Sequence, residues 1–242
     1  LEPLLLEDRR KIAYLFDNVN YLSGARNAAL AQMKYLQEHA EVSLFSIESC
    51  SDEELRRQYR TLDLGNSKGL WVLSTPCGEV LKGAEYSWKW KVLRLAYALL
   101  ARLGLEQVLP QMLLKRVLPP LLNSYDAVCV VSEASKLRGA VSRLDGPKKI
   151  QWIHTDYAAW REQSTWTRHI TQRDSVIYGR FDTVVCLSEG LRDKFVRLFP
   201  QLEERTVAIP NFIQYDRILR SQQNQIIAQS DYGWTDGEGE AL

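Results

Sequence analysis

The sequence lacks several features that would place a chain in a well-defined functional class. Its four cysteines, at positions 50, 77, 129 and 186, form no C-x-x-C pair, so we expect neither a disulfide framework nor a zinc site, and a reducing compartment is indicated. No uncharged apolar run of 18 residues is present, so no transmembrane helix is expected. A net charge of +1 gives no general reason to expect a nucleic-acid partner.

A G-x-G-x-x-G motif and an internal repeat are also absent, and without that motif a nicotinamide or flavin dinucleotide site is not expected. The apolar run Leu4–Leu6 is too short for a signal peptide, and the chain begins at Leu1 rather than methionine, so we expect a trimmed piece of a longer protein. What remains is an ordinary globular composition, 45% hydrophobic and 25% charged, over 242 residues.

Short apolar runs alternate with helical patterns along most of the chain. The predicted strands cover residues 11–16, 42–47, 70–74, 127–132, 150–154, 183–187 and 207–209. The predicted helices cover 25–39, a charged segment at 52–60 capped by Ser51, a long region at 87–123 interrupted near Gly104 and Pro110, and 189–198. This alternation predicts an α/β domain, with a Rossmann-like parallel sheet of about seven strands and helices on both faces.

An ordered set of five segments carries a family resemblance. The segments are Ser-Gly-Ala-Arg (23–26), Tyr-Asp-Ala-Val (125–128), Lys-Ile-Gln-Trp-Ile-His-Thr-Asp (149–156), Phe-Asp-Thr-Val-Val-Cys-Leu-Ser-Glu (181–189) and Ala-Ile-Pro-Asn-Phe-Ile (208–213). In this order and at these spacings they resemble the N-terminal half of glycosyltransferase family 4 enzymes, over about residues 11–220. One difference stands in the first loop, which in the family is often Gly-Gly-Ala-Glu, whereas Ser23 and Arg26 occupy its ends here.

The resemblance implies the GT-B architecture, in which an N-terminal Rossmann-like domain binds the acceptor and a C-terminal domain binds most of the donor. Residues 1–220 would be the acceptor-binding domain, and residues 221–242 a linker or flexible tail towards a donor-binding domain that this chain lacks. Without that domain the isolated chain is expected to be inactive.

The implied activity is that of a retaining hexosyltransferase, which moves a sugar from a nucleotide-sugar donor to a glycan or lipid-linked acceptor in cell-surface polysaccharide or glycolipid synthesis. The nucleotide sugar is then a substrate, no metal or other cofactor is expected, and the location is cytoplasmic, including the inner face of the cell membrane. The alternative is a non-catalytic Rossmann-like domain that binds a nucleotide or a sugar.

His154 is the sharpest candidate for a functional side chain. The resemblance places it in the cleft between acceptor and donor, where an imidazole can hydrogen-bond the transferring sugar or orient the acceptor hydroxyl. The alternative is a histidine whose hydrogen bonds are satisfied at a strand end. Thr155 and Asp156 follow it, and Asp156 either serves the same cleft or caps the next helix.

Two short segments and one further residue are also candidates for the same cleft. The loop formed by Ser23, Gly24, Ala25 and Arg26 precedes a helix, whose N-terminus attracts phosphate, although a tight turn without a ligand explains the glycine equally simply. Ser188 and Glu189 follow another strand, where they either face the cleft or cap a helix and complement its dipole. Asn211 follows Pro210 and shapes the crossover between domains.

Residues 88–122 form a basic, leucine-rich segment that starts with two tryptophans. It contains six basic residues and one acid, Glu106. Such a segment either lies on an anionic membrane or is a crossover helix with a solvated basic face. The residues predicted for a membrane face are Lys89, Lys91, Arg94, Arg102, Lys115 and Arg116.

Overall fold

Seven parallel strands in one sheet form the centre of the domain. The computed structural model describes residues 9–64, 69–70, 72, 77–103 and 108–211. The strands are β1 (Lys11–Phe16), β2 (Glu41–Ser46), β3 (Arg60–Asp63), β4 (Ala127–Val130), β5 (Lys148–Ile153), β6 (Thr183–Cys186) and β7 (Thr206–Ala208). Every neighbouring pair is parallel, in the order β3-β2-β1-β4-β5-β6-β7, which confirms the predicted Rossmann-like sheet.

Helices occupy the crossovers between these strands. They are α1 (Gly24–Leu36), α2 (Glu53–Gln58), α3 (Cys77–Lys82), α4 (Trp88–Arg102), α5 (Val108–Leu122), α6 (Arg138–Val141), α7 (Tyr157–Glu162), α8 (Thr165–Thr171), α9 (Asp174–Tyr178) and α10 (Glu189–Leu198), with a 3-10 helix at Pro200–Arg205. None of the helices in the described ranges is long and apolar enough to cross a membrane.

The core lies on both faces of the sheet because successive strand residues point to opposite sides. On one face, Tyr14 of β1 belongs to a buried cluster with Met33 of α1. On the other face, Leu15 belongs to a larger cluster with Leu118 of α5 and Phe195 of α10. Helices therefore cover both faces, as the sequence predicts.

The strand order creates a switch point between β1 and β4. The chain runs from β1 outward to β2 and β3, and then crosses back to place β4 on the other side of β1. In open sheets of this kind, ligands bind beyond the carboxyl ends of the strands, where the order reverses. The loops after β1, β4 and β5 are thus the part of the fold in which to look for a site.

The predicted third strand was wrong. Instead of Leu70–Ser74, the third strand is β3, which pairs with β2 through Phe45 and Leu62. Residues 70 and 72 are helical, and residues 71, 73 and 74 lie outside the described residues. Leu70 and Val72 are buried, and a short apolar run does not distinguish a buried helical segment from a strand. As an edge strand, β3 is only partly buried and has no apolar run to announce it.

Two predicted helix signals were also wrong. Asp52, rather than Ser51, caps α2, because the hydroxyl of Ser51 donates instead to the side-chain oxygen of Asn20 at 2.9 Å. Pro110 lies in the first turn of α5 rather than interrupting a helix, since the amide that proline lacks needs no acceptor there. Gly104, the other predicted interruption, lies outside the described residues.

The described part of the domain ends at Asn211. The described residues from 9 to 211 form one compact unit. The predicted boundary at 220 and the predicted tail at 221–242 lie outside the described residues.

Candidate functional site

Asp17, the first residue after β1, links the two loops that flank the switch point. One carboxylate oxygen accepts a hydrogen bond from the Ser135 hydroxyl at 2.6 Å, and the other accepts one from the Lys136 amide at 2.9 Å. Burial raises the pKa of Asp17, while these two hydrogen bonds oppose the rise. The loop after β4 is therefore held against the end of β1. The two hydrogen bonds join residues that are separated by 118 and 119 positions in the sequence.

The four predicted cleft residues of this loop lie at the start of α1, with Ser23 before the helix and Gly24, Ala25 and Arg26 in its first turn. Ser23 is the N-cap, and its hydroxyl accepts a hydrogen bond from the amide of residue 26 at 3.1 Å. A Cβ atom built on Gly24 would meet no atom within 4 Å, so packing does not require glycine there and the space beside it is open. Ala25 packs against the core cluster below. Gly24 is therefore the part of this loop at which a ligand could approach the backbone.

The side chain of Arg26 is engaged by groups of the protein itself. Its Nε donates to the carbonyl oxygen of Val19 at 2.5 Å, and its guanidinium lies 3.5 Å from the carboxylate of Asp52. The side chain is largely buried by these contacts. Arg26 thus ties the β1–α1 loop to the start of α2, which gives the arginine of this loop a structural role.

Glu133 anchors the tip of β5. It lies in the loop after β4, and only 4% of its surface is exposed. One carboxyl oxygen accepts the backbone N–H of His154 at 3.2 Å, and the other accepts the Thr155 hydroxyl at 2.6 Å. The sequence analysis missed Glu133, although a polar residue shortly after an apolar strand is also the pattern that drew attention to His154; Glu133 lies three residues after β4 and His154 directly after β5.

Neither ring nitrogen of His154 meets the distance and angle of a hydrogen bond in the described part of the chain, although the Val131 carbonyl lies close enough to act on the ring. Both ring nitrogens are shielded from solvent, and the ring stacks on Trp152 with centroids 5.9 Å apart and planes 21° apart. Burial lowers the pKa of His154, whereas the Glu133 carboxylate and the nearby Val131 carbonyl oppose the shift without reversing it. The ring is therefore neutral at pH 7, with one donor nitrogen and one acceptor nitrogen, neither of which makes a well-formed hydrogen bond in the described part of the chain.

A buried donor or acceptor without a partner costs about 1–3 kcal/mol. Such groups are rare in native proteins, and each calls for a reason such as a ligand that completes the hydrogen bonding. Thr155, the next residue after His154, is a weaker candidate for ligand binding, because its hydroxyl already donates a hydrogen bond to Glu133. His154 is the member of this tip with unused hydrogen-bonding capacity.

Asp156 acts as a helix cap. One carboxylate oxygen accepts the amide of Ala159 in the first turn of α7 at 3.2 Å. The other accepts a hydrogen bond from the ammonium group of Lys194 on α10 at 2.6 Å. These two hydrogen bonds, that from Lys194 first, lower the pKa of Asp156. The capping interpretation is confirmed.

The tip of β6 is built in the same way. The Ser188 hydroxyl caps α10 by accepting the amide of Leu191 at 3.3 Å, and Glu189 is exposed in the first turn, where its charge complements the helix dipole. Asn211 is the last described residue, and its side-chain oxygen is buried without a partner among the described residues. In the described part of the chain, no hydrogen bond or ion pair joins Ser188, Glu189 or Asn211 to His154.

A buried ion pair supports the loop after β4 and the start of α7. Arg138 donates to Asp174 from two nitrogens, with distances of 3.0 and 3.2 Å to the same oxygen. A third guanidinium nitrogen donates to the Ser135 carbonyl at 3.1 Å. The Tyr157 hydroxyl also donates to Asp174, which is fully buried. These contacts hold α6, α7 and α9 in place beside the residues that position His154.

The basic residues predicted for a membrane face lie on two helices away from the strand ends described above. Lys89, Lys91, Arg94 and Arg102 lie on α4, and Lys115 and Arg116 lie on α5.

In the described ranges no group of three or more His, Cys, Asp or Glu side chains could hold a metal ion.

Comparison of this chain with known proteins gives a likeness to solved structures. No protein-family model and no curated protein matches it. Among solved structures it is similar to UDP-N-acetylglucosamine 2-epimerase from Rickettsia bellii, with 12% sequence identity and a TM-score of 0.46 over 90% of this chain and 49% of that one. The chain thus spans about half the length of that structure, and a likeness this distant carries no argument about its ligand or activity.

Proposed function

We propose that the chain is the acceptor-side domain of a retaining glycosyltransferase of the hexosyltransferase type. The enzyme would move a sugar from a nucleotide-sugar donor to a glycan or lipid-linked acceptor in cell-surface polysaccharide or glycolipid synthesis. One observation carries the proposal: the neutral imidazole of His154, just past the carboxyl end of β5, leaves both ring nitrogens without a partner. Its support in the sequence is the ordered set of five segments that resembles glycosyltransferase family 4.

The chemistry asked of His154 is hydrogen bonding. In a retaining transfer, the bond between the anomeric carbon and the leaving phosphate oxygen breaks, and the bond to the acceptor oxygen forms on the same face of the sugar. A neutral imidazole can donate to one sugar oxygen and accept from one hydroxyl without taking on charge. Groups already oriented for the transition state stabilise it without further reorganisation.

Glu133 and Trp152 would position that imidazole. Glu133 holds the backbone of the β5 tip through its two carboxyl oxygens, and Trp152 supports one face of the ring. Neither contact uses a ring nitrogen. The arrangement therefore fixes the ring and leaves its polar atoms for a ligand.

The donor is assigned to a part of the protein outside this chain. In the proposal, residues 1–220 are the acceptor-binding domain and residues 221–242 lead to the donor-binding domain. The nucleotide sugar is a substrate, no metal takes part, and the enzyme works in the cytoplasm. The chain by itself is then expected to show no sugar transfer with a panel of nucleotide sugars, and robust transfer would disprove this division of labour.

Ligand binding tests the proposal on the chain itself. The protein contains three histidines, so ring-labelled histidine gives few NMR signals, and the His154→Gln variant identifies the one of interest. Titration with hexoses and short glycans should shift the His154 signal in a saturable way and leave that of exposed His39 unchanged. A shift with nucleotides but not with glycans would favour the non-catalytic nucleotide-binding alternative. No shift with any of these compounds would overturn the proposal.

A further inference from the structure

Helix α4 exposes a stripe of large apolar side chains along its whole length. The five residues are spaced by four, three, four and four positions, which places them on one face of a helix with 3.6 residues per turn. All are between 50% and 77% exposed. They are Trp88, Val92, Leu95, Leu99 and Leu103, the last of which directly follows the helix.

The core does not account for this stripe. Trp90 and Leu93, on a different side of α4, pack against a small buried cluster that includes Val80 and Tyr86. That side attaches the helix to the domain. A helix that is apolar on a second side as well needs another apolar surface to cover it.

The charge around the stripe has one sign. Helix α4 contains four basic residues and no acid over its 15 residues. At about 100° per residue, Lys91 and Arg102 border the stripe on one edge and Lys89 on the other. Arg94 falls on a different side, where its guanidinium lies 5.1 Å from the Tyr97 ring centroid. Three of the six predicted membrane-face residues therefore border the apolar stripe.

We infer that the α4 stripe lies on an anionic lipid bilayer. An apolar face that contains tryptophan, with lysine and arginine along its edges, matches a helix lying in the plane of the membrane interface. The apolar side chains enter the acyl boundary while the basic side chains stay at the level of the headgroups. Anionic headgroups also supply the negative charge that α4 lacks.

A second copy of this chain fits the same surface poorly. In a two-fold pair, the stripe would face itself and bring two acid-free basic helices together, with no carboxylate on α4 to pair with the cations. A membrane has no such conflict.

Vesicle flotation tests the inference, and it does so independently of the proposed transfer reaction because no turnover is measured. The chain should float with phosphatidylcholine vesicles that contain phosphatidylglycerol, and much less with phosphatidylcholine alone. Salt should weaken the binding, since the Debye length is only about 10 Å at 0.1 M ionic strength.

Two matched substitutions distinguish binding through the stripe from a general effect of net charge on vesicle binding. Leu99→Glu, on the stripe, should lower the partition coefficient for the anionic vesicles about tenfold or more, because a carboxylate then faces the acyl boundary and the anionic headgroups. Val176→Glu makes a similar change at a residue of α9 that is about as exposed, and should leave the partition coefficient within about twofold of the wild type.

Three outcomes would overturn the inference. These are equal recovery with both vesicle types, equal losses in the two variants, and a dimer in sedimentation velocity without vesicles that Leu99→Glu abolishes. The last would identify a second copy as the occupant of the stripe. Circular dichroism of each variant confirms that the comparison is made between folded proteins.

Discussion

At the scale of single residues, His154 combines a fixed ring with unused polar atoms. Its backbone amide is held by Glu133 and its ring stacks on Trp152, while both ring nitrogens are buried without a partner in the described part of the chain. A purely structural histidine would be expected to satisfy at least one nitrogen. The contrast with Asp156 and Ser188 is clear, because those side chains are engaged as helix caps.

In the proposed two-domain glycosyltransferase, His154→Ala should lower turnover by roughly 10²-fold or more, which is the usual scale for losing a well-placed polar group. The loss should be in kcat rather than in folding, because the ring lies beyond the end of β5 and contributes no hydrogen bond to the described fold. Steady-state kinetics and a thermal melt measure the two effects. His39→Ala, at an exposed histidine, is the control, and near-normal turnover of His154→Ala would remove its catalytic role.

At the scale of elements, the α6–α7–α9 region depends on one buried ion pair. Arg138 and Asp174 lie 36 positions apart, and both are buried. The hydrogen bonds of Arg138 to Ser135 and of Tyr157 to Asp174 extend the pair to the loop after β4 and to the start of α7. The pair thus links α6, which precedes β5 in the chain, with α7 and α9, which follow it.

Asp174→Asn should destabilise the protein by about 3–5 kcal/mol, because it leaves the buried Arg138 guanidinium without its counter-charge. Urea unfolding measures the difference. The double variant Arg138→Met with Asp174→Leu should lose less than the single variant, since it removes both charges together. A single-variant loss below about 1 kcal/mol would mean that the pair is not a main support of this region.

At the scale of the whole molecule, the strand order decides which residues meet. Because β4 lies beside β1, the loops that follow β1 and β4 come together, although Asp17 and Ser135 are 118 positions apart. Because β5 lies beside β4, Glu133 reaches the backbone of His154. The candidate site is a product of this topology.

The contribution of His154 to the stability of the folded chain should decrease as the pH falls below about 6.5. The pKa of His154 lies below its ordinary value of 6.5 in the folded state, mainly because of burial, so the unfolded chain takes up the proton first. The contribution is therefore fully present above about pH 6.5 and is lost as the pH falls towards the folded-state pKa.

Urea unfolding at about pH 7 and about pH 5 checks this expectation. His154→Gln should reduce the loss of unfolding free energy at low pH, because glutamine does not titrate. If the unfolding free energy of His154→Gln depends on pH as strongly as that of the wild type, the pH dependence comes from other groups.

The sequence by itself determined the local features of this protein. Apolar runs placed six of the seven strands, and hydroxyl and carboxylate residues before helical runs identified the caps Ser188 and Asp156. The excess of positive charge on α4 was also plain from the sequence. These features depend on neighbouring residues and on the periods of strands and helices, which a sequence displays directly.

Only the tertiary structure decided which of these residues act together. The Glu133 anchor, the Asp17 bridge and the Arg138–Asp174 pair join positions 21 to 119 residues apart, and the edge strand β3 is defined by its pairing with β2 rather than by its own pattern. The direction in which the α4 stripe faces was likewise decided by which side of the helix packs on the domain. The physical reason is that strand order and helix orientation set these contacts, and neither is encoded in a local period.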